Sequence, residues 1–323
     1  MMFTSSYIGQ VEPEPSKHNL LVLYYKRLNR LMSLWTIGNR GLSNEEVEML
    51  TEAVRRPAVA GQFYPADPDR LETIIREYLN AANAPEDRLE PPLVKAVIAP
   101  HAGFIYSGPV AASAYVHLAF SDVPIRRFIL LGPAHFVPVR RLAVTSAAHF
   151  ETPLGIIPID SAARTAAMEL PQVEIDDRAH EPEHCLEVQL PFLQVLCPDF
   201  TIVPLLVGSA SVGEVAEVLE RLWGGPETRI IISSDLSHYH DYATAQRLDR
   251  ATAEAIVALD PDRLEEHSAC GRTPICGLLR QAHRRGLTAE VVDLRSSGDT
   301  AGPRDRVVGY GAFTFVENTP AAY

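Results

Sequence analysis

The chain has 323 residues, enough for one large domain or two ordinary ones, and its 46% hydrophobic and 22% charged residues are the balance of a folded globular protein. A formal net charge of −12 with no basic run to offset it argues against nucleic acid as a partner. No apolar stretch approaches the roughly 18 residues needed to cross a bilayer, and the longest early one, LLVLYY at 20–25, falls short of a signal-peptide core, so no membrane partner and a cytoplasmic location are expected.

Residues 1–54 read as an N-terminal extension. NLLVLYYKRLNRLMSLW predicts a short amphipathic helix, and Ser43 with Glu46, at capping-box spacing, predicts the start of a second. Nothing in this stretch carries chemistry, and Met32 or Met49 offers an alternative start. From Arg55 onward, to about residue 318, one domain is expected. Asp67 followed by Pro68 is an N-cap with proline in the first turn, opening a helix whose Leu71, Ile74, Ile75, Tyr78 and Leu79 make one apolar face. A strand at 93–99, a helix from about Pro109 to Ala119 and a strand at 126–132 follow. Further strands are predicted at 141–146, 156–159, 200–207, 228–233, 288–294 and 307–316, and helices at 161–170, 184–197, 211–222, 242–259 and 273–285. Several strands are continuous apolar runs, as a sheet covered on both faces requires. Strands separated by helices predict an α/β fold: a single large domain with a mostly parallel central sheet flanked by helices.

In open α/β sheets ligands bind beyond the carboxyl ends of the strands. Three strand ends carry related loops: PHAG with His101, PAHF with His135, and SDLSHYH with Asp235, His238 and His240. The chain has 11 histidines, and four of them sit in these three loops. One such histidine alone reads as a surface or packing residue, but three loops at one sheet edge point to a metal site, since imidazole is the commonest metal ligand and loops on a rigid sheet are where ligands are usually placed. The small residues Ala102, Gly103, Gly132, Pro133 and Ala134 leave space beside the rings, or serve as ordinary turn residues.

Two further segments offer donors. In SACGRTPIC, Cys270 precedes a helix and has Arg272 close by, which favours the metal-binding thiolate; the alternative is a buried inert cysteine, the reading given to Cys197 and Cys276. The four cysteines show no CxxC or compact framework, so no disulfide is expected. In EPEHCLEVQLPFLQVL, His184 and Glu187 are three apart and can share a helix face, lining a pocket or acting as an outer-shell pair. Helix capping and surface pairing account equally well for Glu183 and Glu187.

Taken together, RRPAVAGQFYP, APHAGFIYSG, LLGPAHF, EHCLEVQLPFL, SSDLSHY, ACGRTP and VVGYGAF resemble, in order and spacing, the Memo family, including the bacterial and archaeal members called AmmeMemoRadiSam system protein B. The resemblance runs from Arg55 to Val316. It implies a fold similar to the class III extradiol dioxygenases (LigB-like), with His101, His135 and Cys270 as metal ligands, His238 as an acid/base and Asp235 beside it. His184, Glu187, Arg272 and His240 remain as pocket or outer-shell candidates. The dioxygenases have a carboxylate where this chain has a cysteine, a softer donor; the implied cofactor is one transition metal, Fe(II) favoured, with Cu or Zn as alternatives. The expected function is metal-dependent redox chemistry on an unknown small-molecule substrate. The alternatives are a non-catalytic metal-binding or peptide-binding adaptor and, third, a zinc hydrolase. The resemblance further implies radical-SAM and Amme-domain proteins as partners.

Overall fold

The computed structural model describes residues 54–82, 93–120 and 123–317, so the helices expected within residues 1–53 lie outside the described residues. The described chain opens with strand β1 (Val54–Arg55) and helix α1 (Pro68–Ala81). Asp67 caps α1 by accepting the Arg70 amide at 2.9 Å, and Leu71, Ile75 and Leu79 form its buried face. Strand β2 (Val94–Ala99), helix α2 (Phe104–Tyr115) and strand β3 (Arg127–Pro133) follow. Next come β4 (Leu142–Val144), β5 (His149–Thr152), β6 (Gly155–Pro158), α3 (Ser161–Met168), β7 (Val173–Ile175), α4 (Asp177–His180), α5 (Leu190–Leu196) and β8 (Thr201–Val207). The last third holds α6 (Val212–Leu222), β9 (Thr228–Ser233), β10 (His238–His240), α7 (Tyr242–Val257), α8 (Arg272–Arg285), β11 (Thr288–Ser296), α9 (Ser297–Thr300) and β12 (Val307–Val316).

The main sheet runs β10-β12-β2-β9-β3-β8-β4-β7, with β11 also on β12. Its centre, β2-β9-β3-β8, is parallel as expected, whereas β4 joins β8, and β12 joins β2, in antiparallel pairings, so the parallel arrangement gives way on both flanks. A second sheet of three strands, β1-β5-β6, accounts for short segments that carried no strand pattern at 54–55 and 149–152.

Alternation along the central strands feeds two cores. Val97, Ala99, Phe128, Leu130 and Ile231 pack with residues of α1, α2 and α5 on one face. Ala96, Ile98, Ile129, Leu131, Ile230 and Ile232 pack with α6, α7 and α8 on the other. A sheet buried on both faces must be apolar at every position, which is why β2 and β9 read as unbroken hydrophobic runs.

Because β2, β9 and β3 are adjacent and parallel, their carboxyl ends meet at one edge of the sheet, with Ala99 opposite Ser233 and Leu131 opposite Ile232. The loops carrying His101, Asp235 and His135 are therefore neighbours in space. Among the described residues, no helix is long and apolar enough to cross a membrane.

Candidate metal centre

Of the histidines at this edge of the sheet, His101 is the most deeply buried, 2% exposed. Its position is set from two sides: its amide donates to Asp235 Oδ1 at 2.8 Å, and its Nδ1 lies 2.9 Å from Ser233 Oγ. The Ser233 hydroxyl gives its only proton to the Cys185 carbonyl at 2.6 Å and so can only accept from His101. The buried Gln189 closes the network: its Nε2 donates to Ser233 Oγ at 2.8 Å and to the Pro100 carbonyl at 3.0 Å, while its Oε1 accepts from Tyr115. The proton of His101 is thereby held on Nδ1, and Nε2 presents a lone pair. Burial pushes this imidazole down to about 4, so it is neutral at pH 7.

His135, exposed toward solvent, is set by Glu183. Glu183 Oε2 accepts the His135 amide at 2.6 Å, and Oε1 accepts its Nδ1 at 2.9 Å. The same Oε1 takes the amides of His184 and Cys185, each at 3.0 Å. Burial alone would raise the Glu183 carboxyl, but these hydrogen bonds, led by His135, outweigh it and hold the group well below the usual carboxylate range. An ionised carboxylate on Nδ1 leaves Nε2 of His135 free, the arrangement that orients metal-bound histidines.

The third imidazole is His184. Its ring stacks on His135 with centroids 5.0 Å apart, and stands perpendicular to His101 at 5.5 Å. Its Nδ1 is buried and lies 3.3 Å from Glu183 Oε1 without forming a hydrogen bond. His101, His135 and His184 each offer a ligand atom within 4.8 Å of the other two, and a second such group joins His135, Glu183 and Cys185.

Cys270 lies outside these two groups but touches the first: its Sγ is 3.4 Å from His101 Nε2. It also accepts the Asp235 amide at 3.3 Å. Burial, then the Asp235 charge, pushes the thiol up to about 12. Two glycines permit these approaches. A Cβ on Gly132 would stand 2.7 Å from Cys185 Sγ, and one on Gly271 would stand 2.7 Å from Ser234 Cβ.

The three imidazoles line a cavity of about 530 Å³ together with Asp235 and His238, and with Phe63, Tyr106, Tyr239, Arg306 and Tyr310 among its other walls. Cys270 borders a second cavity of about 480 Å³ with His238, His240, Glu266 and His267. His238 stands on both, held in β10 opposite Val308 of β12. A larger cavity of about 800 Å³ between α6 and α8 has one ion pair among its lining residues, Arg284 with Glu220 at 3.1 Å, and neither of the two close clusters of ligating side chains among the described residues falls there.

Two expected site residues lie away from these cavities. Glu187 is fully buried and turned toward residues 55–64, where it pairs with Arg55, accepts the amides of Ala58 and Val59 and takes the Tyr64 hydroxyl. Arg272 donates to the Leu264 carbonyl at 2.8 Å. Conversely, Glu183, Ser233 and Gln189, which orient the imidazoles, lie inside the motifs EHCLEVQLPFL and SSDLSHY but are assigned no orienting role by them, Glu183 reading only as a cap or surface pair. Their partners lie 48, 132 and 89 residues away, so no local spacing reveals that role.

The profile of the Memo-like protein family matches residues 55–314. A MEMO1 family protein of Methanopyrus kandleri is 39% identical over 81% of this chain and 98% of its own length. Counterparts in Nitrosopumilus maritimus and Aquifex aeolicus are 33% and 35% identical, each over 81% of this chain, covering 100% and 99% of their own lengths.

Proposed function

The chain belongs to the Memo-like protein family, whose fold is that of the class III extradiol dioxygenases, and from that premise we propose that the cavity is a mononuclear transition-metal site for redox chemistry on a small molecule. One observation carries the reading. His101 and His135 each have Nδ1 engaged by a fixed acceptor, Ser233 and Glu183, so both present Nε2 lone pairs to one cavity. Two imidazoles oriented in this way are what a metal requires and what a packing histidine does not.

The donor set fits such an ion. His101 and His135 would hold it, with a third donor from Cys270, in contact with His101 Nε2, or from His184, whose buried Nδ1 lacks a hydrogen bond. Nitrogen and sulfur donors suit iron(II), which we favour, as well as copper and zinc. When bound, the metal supplies a Lewis acid and an electron-transfer centre. The chain's own groups do the rest. Asp235 holds the loop through Oδ1, which accepts the His101 amide, and stands on the cavity wall beside His238, to which moving a proton falls. Phe63, Tyr106 and Tyr310 give a substrate an apolar bed. We place this activity in the cytoplasm, where the four cysteines stay free, with radical-SAM and Amme-domain proteins as partners to be sought by co-purification.

The test is metal content by elemental mass spectrometry on protein purified without oxygen, for the wild type and for His101→Ala, His184→Ala and Cys270→Ser. Near-stoichiometric iron in the wild type, lost in His101→Ala, is expected, and the other two variants identify the third donor. A wild type that takes up no metal even after reconstitution sinks the reading; metal without turnover of any substrate leaves a binding protein on the same fold.

A further inference from the structure

Among the described residues lining the imidazole cavity, the only arginine or lysine is Arg306. It is exposed at the mouth, one residue before β12, with its guanidinium carbon 4.4 Å from the centroid of the Tyr239 ring. Among the described residues its guanidinium takes part in no hydrogen bond and no ion pair. The contrast with Arg304, two residues earlier, is informative. That side chain donates to the Gly298 carbonyl at 3.2 Å, lies 3.5 Å from Asp299 Oδ1 and covers Tyr242 at 4.3 Å. One arginine of this loop holds the fold, while the other keeps its five N–H donors open beside a cavity.

The support beneath Arg306 is itself unusual. Tyr239 has φ 64, the left-handed region that a bulky residue enters at a cost, and the β10–β12 pairing shifts register between His238 and His240 around it. Tyr239 is 63% exposed, so no core packing explains the conformation. The conformation does lay a ring under the guanidinium, with His238, the next residue toward the N-terminus, on the same wall.

The electrostatics agree. The chain carries −12 overall, and the one carboxylate on this cavity's wall, Asp235, accepts the His101 amide and forms no ion pair with Arg306, so the guanidinium at the mouth stays open to a ligand. We infer that the cavity takes a small molecule bearing an oxyanion, with Arg306 as the anchor for its charged end and Phe63, Tyr106 and Tyr310 as the bed for its body. The inference rests on the cavity being the substrate site and not on which metal is bound there. A planar guanidinium suits a carboxylate or a phosphate because it can donate two parallel hydrogen bonds.

The experiment is a ligand-observed NMR titration of the full chain with benzoate, inorganic phosphate and benzamide, repeated on Arg306→Ala and Arg306→Lys. An anion should bind the wild type more tightly than benzamide and weaken about tenfold to a hundredfold in Arg306→Ala, the loss of one charge-assisted contact. Arg306→Lys should recover part of it, and benzamide should be indifferent to both changes. Whichever of benzoate and phosphate binds more tightly identifies the oxyanion. Equal anion binding by wild type and Arg306→Ala, or no preference for an anion over benzamide, overturns the inference. Elemental analysis of the same samples separates the two readings. Metal-free wild type that still binds an anion through Arg306 would sink the metal site and leave the anchor standing; full metal with no anion preference would do the reverse.

Discussion

Glu183 governs how His135 is presented, because its two oxygens accept both the amide and Nδ1 of that residue together with two further amides. Replacing it by glutamine keeps the shape but puts an NH2 group where one oxygen accepts hydrogen bonds, so at least one of these donors is left facing a donor. Glu183→Gln should lower metal affinity by about 10- to 100-fold, as the loss of an outer-shell carboxylate typically does, while circular dichroism stays that of the wild type. Competition against a chelator measures it, and an unchanged affinity would show that the carboxylate does not orient the ligand. The residues that would touch the metal were more legible than the one that orients them. His101 and His135 follow apolar runs that any reading of strands ends on, whereas the role of Glu183 exists only through a contact across 48 residues. His184 and Glu187 have spacing that allows one shared face, yet Glu187 turns to Arg55 and Tyr64 and leaves His184 alone in the cavity. Arg306 belongs to no quoted motif, and Tyr239, though it closes SSDLSHY, is singled out only by a backbone angle that the motif does not show.

Helices were legible where their ends are written in the sequence. Asp67, Asp160 and Asp241 cap α1, α3 and α7 with side-chain hydrogen bonds, and Gly286 at φ 67 ends α8, so the expected spans match the observed ones closely. Prolines explain the departures. Pro109 suggested a helix start, but α2 begins at Phe104 and carries the proline in its interior. Pro191 divides the helix expected over 184–197, leaving a short 3-10 turn at Glu187–Gln189 before α5, where the proline sits in the first turn and its missing N–H costs nothing. Packing between helices is the part a one-dimensional pattern does not contain, and Gly277 shows why. In an isolated helix, Gly277→Ala would gain about 1 kcal/mol of propensity. In α8 the added Cβ would stand 2.4 Å from Val215 Cγ1 and 3.3 Å from the Ala216 amide of α6, both in the buried core. Overpacking of this kind typically costs about 1–3 kcal/mol, so Gly277→Ala should lower the urea midpoint. A raised midpoint would mean that α6 and α8 can separate without loss.

At the scale of the whole molecule, the parallel centre of the sheet brings the loops of His101, His135 and Asp235 together, and the stability of the surrounding scaffold becomes sensitive to pH through a histidine outside the candidate site. His180 ends α4, is 2% exposed and donates from Nε2 to the Ala143 carbonyl of β4 at 3.0 Å, while its own carbonyl accepts from Arg55 at 3.1 Å. Burial pushes its imidazole down to about 4 from the ordinary 6.5, against the opposing pull of the Ala143 hydrogen bond. The folded protein therefore resists a proton that the unfolded chain accepts, and the unfolded state binds more protons between these two values. Its contribution to stability is fully present above about pH 6.5 and is lost as pH falls toward 4. Between pH 7.5 and 5 the loss is about 2 kcal/mol, from roughly 1.4 kcal/mol per unit of pH over the window. His180→Asn removes the titrating group and keeps a donor for Ala143. Urea unfolding of both proteins at pH 7.5 and 5.0 isolates the effect, because every other titrating group is common to the two. The wild type should lose about 2 kcal/mol more than the variant over that interval. Equal losses would mean that His180 is protonated in the folded state, and with it that the contact between α4 and β4 opens to water well before the molecule unfolds.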